Sequence, residues 1–146
     1  MRIDNTIEIE APVDRVWELT LDVESWPHHT PTMTMITRLD SSPLAVGSEV
    51  RIKQPAQRAR VWTVAAVEPG KLFAWTARVM GTTMTGAHAL APSPTGTTQT
   101  LTIDIKGPLS RSVGALLRRS ISKALATENR GFKEAAENHI GEPTKS

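Results

Sequence analysis

Two polar residues stand where the surrounding pattern calls for apolar ones, and both can move a proton. Glu128 falls between Ala124 and Phe132, in the middle of the apolar stripe of a long C-terminal run, and His88 alternates in register with Met84, Gly86 and Leu90. A carboxyl group withdrawn from water is pushed towards its neutral form, so it can anchor a hydroxyl or amine of a ligand or act as a general acid or base. A neutral imidazole on an inward strand face adds one donor and one acceptor. Glu128 and His88 are therefore the candidate catalytic residues. Each has a plainer alternative: Glu128 pairs with an arginine such as Arg60 or Arg78 across the sheet, and His88 packs as a satisfied core residue.

Other chemistries find little support. His28 and His29 are adjacent and point apart on any regular element, there is no cysteine, and no HxxxH or HExxH spacing occurs, so no metal site is expected. No GxSxG motif is present, and Ser110, Ser112, Ser120 and Ser122 read as helix-start and surface residues. Neither GxGxxG nor a P-loop occurs, so no cofactor is expected. The chain also lacks tyrosine, which removes the phenolic proton carriers useful to an acid–base enzyme. Arg111, Arg118, Arg119, Lys123, Arg130 and Lys133 read as a solvated helix face, interrupted by acids and without stacking aromatics. The sharper alternative for this group is attraction to anionic lipid or nucleic acid, and no nucleic-acid partner is expected.

The elements that must position Glu128 and His88 follow from periodicity. Ile3, Ile7 and Ile9 alternate with polar residues, the pattern of a strand with one wet face. The spacing then becomes helical: Pro12 suits a first turn, Asp14 meets the helix dipole, and Val13, Val16, Trp17 and Thr20 share a stripe. Six strand segments come next, over 33–40, 48–54, 60–68, 71–80, 82–91 and 97–106, joined by turn residues that include Glu68-Pro69-Gly70 and the stretch Pro92–Gly96. From Gly107 to about Asn138 the chain predicts one long helix. Its stripe carries Val113, Leu117, Ile121, Ala124, Phe132 and Ala135, with Arg119, Lys123, Arg130, Lys133 and Glu137 on the far side. Residues 1–140 form a single domain on this reading, and 141–146 a disordered tail.

The length of 146 residues suits one core, and the apolar fraction of 39% with a formal charge of +2 suits a soluble globule. The start of the chain has no signal-peptide core and no window is long and apolar enough to span a membrane. A cytoplasmic setting is expected, with the oligomeric state, monomer or homodimer, left open.

The order of elements, together with APVDRVW (11–17), DVESWP (22–27), VGSEVRI (46–52), VEPGKLFAW (67–75) and GTTQTLTI (96–103), resembles the START-related helix-grip superfamily and its polyketide cyclase/dehydrase-like (SRPBCC) members. The resemblance covers nearly the whole chain. It implies an α+β fold in which a seven-stranded antiparallel sheet wraps around the long helix, two short helices after the first strand close one end, and a cavity lies between. Members bind lipids, sterols, flavonoids or polyketides, and some cyclise or dehydrate polyketides. A helix gripped by a concave sheet spans a gap in its middle, where side chains either fill the gap or line a void of a few hundred Å³. The expected ligand-binding residues are Trp26, Phe73, Trp75, Met80, Met84, His88, Leu117, Ile121 and Glu128, with Trp26 near the mouth. The expected partner is a small hydrophobic molecule. An acid–base cyclase or dehydratase is the alternative.

Overall fold

The structure, a computed structural model, describes residues 1–141. The tail read from the sequence as 141–146 lies outside the described residues from position 142 onward. Strand β1 (Arg2–Ile9) leads into helix α1 (Val13–Leu21) and a 3₁₀ helix (Val23–His28). Six strands follow: β2 (Met35–Arg38), β3 (Glu49–Lys53), β4 (Arg60–Glu68), β5 (Leu72–Val79), β6 (Thr82–Ser93) and β7 (Gly96–Lys106). Helix α2 (Ser110–Gly141) comes last. The seven strands form one antiparallel sheet in the order β1-β7-β6-β5-β4-β3-β2, and α2 packs across its concave face against β1 and β7. This is the helix-grip arrangement.

Local chemistry explains the joints. Pro12 precedes α1 as its cap, and its carbonyl accepts from the amides of Arg15 (3.0 Å) and Val16 (3.2 Å). The β4–β5 hairpin closes through the Lys71 amide on the Glu68 carbonyl at 2.9 Å, with Gly70 in the left-handed region. The β6–β7 hairpin is tighter than the Pro92–Gly96 loop expected, because Pro92 pairs with Thr97 and Ser93 with Gly96. Between β5 and β6, Met80 (φ 51°) and Gly81 (φ 76°) form a two-residue turn whose twist matches that of the strands.

α2 is fixed most firmly near its C-terminal half. Val113, Leu125, Phe132 and Ala136 are buried, so the inner face is rotated a little from the stripe predicted. Gly131 sits where a Cβ would overlap the carbonyl oxygen of His29, so glycine lets the helix touch the end of the 3₁₀ segment backbone to backbone. Asn129 accepts from the Gln99 side chain (2.9 Å) and donates to the Asn5 carbonyl (2.9 Å) and side-chain oxygen (2.7 Å). Lys133 and Glu137, expected on the solvated far side, instead finish strand β1. Lys133 donates to the Glu8 carbonyl (2.9 Å), and Glu137 accepts the Glu10 amide (2.8 Å) while pairing with Lys133 (2.6 Å). Among the described residues no helix is long and apolar enough to cross a membrane.

Candidate functional site

A cavity of about 190 Å³ lies between α2 and the sheet. Its floor comes from alternate residues of the central strands, because residues two apart on a strand share a face. β4 contributes Arg60 and Trp62, β5 contributes Trp75 and Val79, and β6 contributes Met84, Gly86 and His88. Leu117, Ile121 and Glu128 of α2 form the roof, with Met33 and Ile52 at one side. The exposed loop residue Gln57 and the exposed helix residue Ser120 both border the space. The mouth is therefore between the β3–β4 loop and the first half of α2.

The tryptophan wall depends on one glycine. Gly86 lies opposite Trp75 in the β5–β6 register, and a Cβ there would stand 3.3 Å from the indole Nε1, tighter than ordinary packing. The bare backbone lets the Trp75 ring lie over the sheet. Trp62 stands beside it, with ring centroids 6.2 Å apart.

The inner end of the space is sealed by an aromatic cluster. Trp26 is fully buried, donates its indole N–H to the Leu19 carbonyl at 3.0 Å, and meets Phe73, Trp75, His88 and Phe132 at centroid distances of 4.7 to 6.2 Å. His88 is held by Trp26 at 4.7 Å and Phe132 at 5.3 Å, and its Nδ1 is buried without a partner. Burial pushes the imidazole down to about 3, so it is neutral at physiological pH.

Glu128 is the contrasting group. It is 7% exposed and forms no ion pair among the described residues. Burial pushes its carboxyl up to about 7, against a smaller opposing pull from the Thr32 hydroxyl. The arginine pairings considered from the sequence do not form. Arg78 is exposed and donates to the Thr83 hydroxyl at 3.3 Å, while Arg60 lines the cavity unpaired with Glu128. Near neutrality Glu128 is thus divided between acid and carboxylate, and it can donate or accept a hydrogen bond.

The structure brings together Trp26, Trp75, Met84, His88, Leu117, Ile121 and Glu128 around the cavity. Two expected wall residues lie elsewhere. Phe73 is fully buried behind Trp26 and Trp75 and does not reach the space, because the rings in front of it fill that end. Met80 is 54% exposed in the β5–β6 turn: the inward parity of β5 falls on Phe73, Trp75, Ala77 and Val79, and the strand stops before Met80. Trp26, expected near the mouth, seals the opposite end. Trp62, Arg60 and Met33 line the cavity beyond the residues expected, and the alternation Arg60, Trp62, Val64 carries the signal for the first two.

Residues 1–137 match the model of the family described as polyketide cyclase/dehydrase and lipid transport. The chain belongs to that family. No curated protein sequence matches it. Among solved structures, a START superfamily protein from Mycobacterium smegmatis is 14% identical with a TM-score of 0.71, covering 92% of this chain and 97% of the other. The aromatase/cyclase Zhui from Streptomyces sp. R1128 is 19% identical with a TM-score of 0.64, over 92% and 95%. The di-domain aromatase/cyclase StfQ of the steffimycin biosynthetic pathway is 17% identical with a TM-score of 0.70, over 97% of this chain and 52% of its own. At these identities the likeness is one of fold. Membership of the polyketide cyclase/dehydrase and lipid transport family supports hydrophobic-ligand binding or cyclase activity in general.

Proposed function

We propose that this protein binds a small, largely apolar ligand, aromatic or polyketide-like, in the cavity between α2 and the sheet, with Glu128 as its polar anchor. The observation that carries this reading is a buried carboxyl group with no ion pair among the described residues, in a space walled by Trp26, Trp62 and Trp75. The walls supply apolar contact area and offset stacking to a planar ligand. Glu128 in its acid form donates to a carbonyl or phenolic oxygen, and as carboxylate it accepts from a ligand hydroxyl. The volume limits the guest. A cavity of about 150 Å³ takes up benzene, so about 190 Å³ fits one or two rings better than a folded four-ring chain.

Acid–base cyclisation or dehydration is the second reading, favoured by Glu128 and His88 bordering one space and by a Glu128 carboxyl at about 7, the optimum for a group that both gives and takes protons at neutral pH. His88, pushed down to about 3, is a poor base by the same criterion. Binding is therefore placed first.

Native mass spectrometry of the purified protein tests the binding reading directly by looking for a retained lipophile. A hydrophobic fluorescent probe should bind one to one and quench tryptophan emission, and Trp75→Ala should weaken it. Unchanged probe affinity in that variant, with a large loss of stability, would make Trp75 a packing residue and refute the site. Turnover of a small polyketide-like thioester that vanishes in Glu128→Gln would move the enzyme reading to first place.

A further inference from the structure

The charges of the chain are sorted between its two ends. Between Glu10 and Pro27, over α1 and the 3₁₀ helix, there are five acids (Glu10, Asp14, Glu18, Asp22, Glu24) and one cation, Arg15. The antiparallel topology sends the start of α2, the β5–β6 turn and the β3–β4 loop to the opposite end, where the cavity opens. From Lys106 to Thr127 the chain carries five Lys and Arg and no acid, and from Lys53 to Arg60 three more and no acid. Asp104, the nearest acid in β7, already lies beside the N-terminal ammonium (3.8 Å) and Lys106 (3.6 Å). The acids that interrupt the basic helix in sequence, Glu128, Glu134 and Glu137, all lie in its second half.

The same end exposes large aliphatic side chains. Leu116 is 69% exposed, and Leu109 and Met80 are more than half exposed. Leu109 packs beside Gly81, which joins it to Met80 of the turn. Leu116 shares a helix face with Arg119, Ser120 and Lys123 by their spacing of three, four and seven residues, and Ser120 borders the cavity. The rim of the mouth is thus a set of exposed aliphatic points among cations, of which Arg58, Arg119 and Lys123 form no ion pair among the described residues.

We infer that this end docks on the surface of an anionic lipid bilayer, with Leu116, Leu109 and Met80 entering the headgroup and acyl boundary and Arg58, Arg119 and Lys123 meeting lipid phosphates. That pairing of apolar and basic groups is what an interfacial membrane site requires. Nucleic acid is the other polyanion, but a phosphate track gains nothing from exposed leucines, and the large exposed side chains of this end include no aromatic ring on which bases stack. Docked in this way, the cavity opens towards the membrane, the source of an apolar guest. The inference concerns the outer surface and stands apart from the identity of the ligand.

The test is co-sedimentation of the full chain with vesicles of phosphatidylcholine alone or with about 30 mol% phosphatidylglycerol, at low salt and at about 0.5 M salt. Binding to the anionic vesicles, weak binding to the neutral ones and release by salt are expected. Each basic side chain removed lowers affinity about fivefold, so Arg119→Gln with Lys123→Gln lowers it about 25-fold. Leu109→Ser with Leu116→Ser weakens binding at unchanged charge, and Lys71→Glu at the far end leaves it unchanged. All three proteins should retain the hydrophobic probe in the cavity. Equal binding to neutral vesicles, no binding to either, or binding that the leucine variant does not weaken would overturn the inference. So would duplex DNA that competes with the vesicles and binds the leucine variant as well as the parent, which would mark a nucleic-acid surface.

Discussion

The inner face of α2 meets the sheet in two different ways along its length. Around Phe132 it is filled: Trp26, Phe73, His88 and Phe132 form a closed aromatic cluster, and beside them Asn129 finds partners in Gln99 and Asn5. One turn earlier and onward towards Leu117, the same face borders open space, and Glu128 forms no ion pair among the described residues. Neighbouring residues of one helix, Glu128 and Asn129, thus take opposite roles. Asn129 is a neutral amide whose hydrogen bonds are made inside the protein, and Glu128 is an ionisable group that borders the cavity. A solid interface does not need a buried unpaired carboxyl, because such a group is disfavoured unless its neighbours or a ligand compensate it.

The largest effect that would sharpen this contrast is expected at the filled end. Phe132→Ala should lower stability by about 3 to 5 kcal/mol, measured by urea denaturation. A loss near that of an exposed site would mean that the cluster is not packed as described.

Glu128→Gln comes next, and its effect depends on pH. The folded carboxyl at about 7 lies above its ordinary 4.5, so the folded state holds the proton more tightly than the unfolded chain. Wild-type stability contributed by this group is intact below the unfolded value and is lost as pH rises from about 4.5 to about 7, by up to roughly 3 kcal/mol. His88 works in the other direction. Its folded value of about 3 lies below the ordinary 6.5, so stability is lost as pH falls below 6.5. Where the two windows overlap the slopes oppose, and the wild type should vary little in stability. Glu128→Gln removes one slope, so the variant should gain stability over the wild type as pH rises and should lose it on acidification below 6.5. A variant that tracks the wild type at every pH would place Glu128 in solvent.

A smaller loss is expected for Asn129→Ala, about 1 to 3 kcal/mol, because the Gln99 amide and the Asn5 oxygens lose a buried partner. Thermal or chemical denaturation at one pH suffices, since no titrating group is removed.

The smallest effect belongs to the open end. Leu117→Ala removes a side chain that already borders the cavity, so its cost should stay under the about 2 kcal/mol at the bottom of the range for buried leucines, while probe affinity changes. A cost as large as that of Phe132→Ala would erase the distinction between the two ends.

What the sequence determined by itself was the order of elements and the parity within them. Alternation at Ile3, Ile7 and Ile9, the hairpin at Pro69-Gly70 and the unbroken helical run after Pro108 are local signals, set by steric preferences of neighbouring residues, and the structure follows them with shifts of up to three residues at the ends. Parity also placed Trp75, Met84 and His88 on the inner face, and helical spacing placed Leu117, Ile121 and Glu128 there. Tertiary structure decided which inward residues fill and which line. Phe73 and Trp75 share a face, but Trp26 arrives from the 3₁₀ helix to cover the first, and Gly86 makes room beside the second. It also decided which charges gather. Lys133 and Glu137 look like surface residues of a helix until β1 ends beside them, and the cations of the β3–β4 loop and of early α2 are some fifty residues apart until the antiparallel sheet brings both to the cavity mouth. Those outcomes depend on contacts between segments distant in the chain, which local periodicity does not encode.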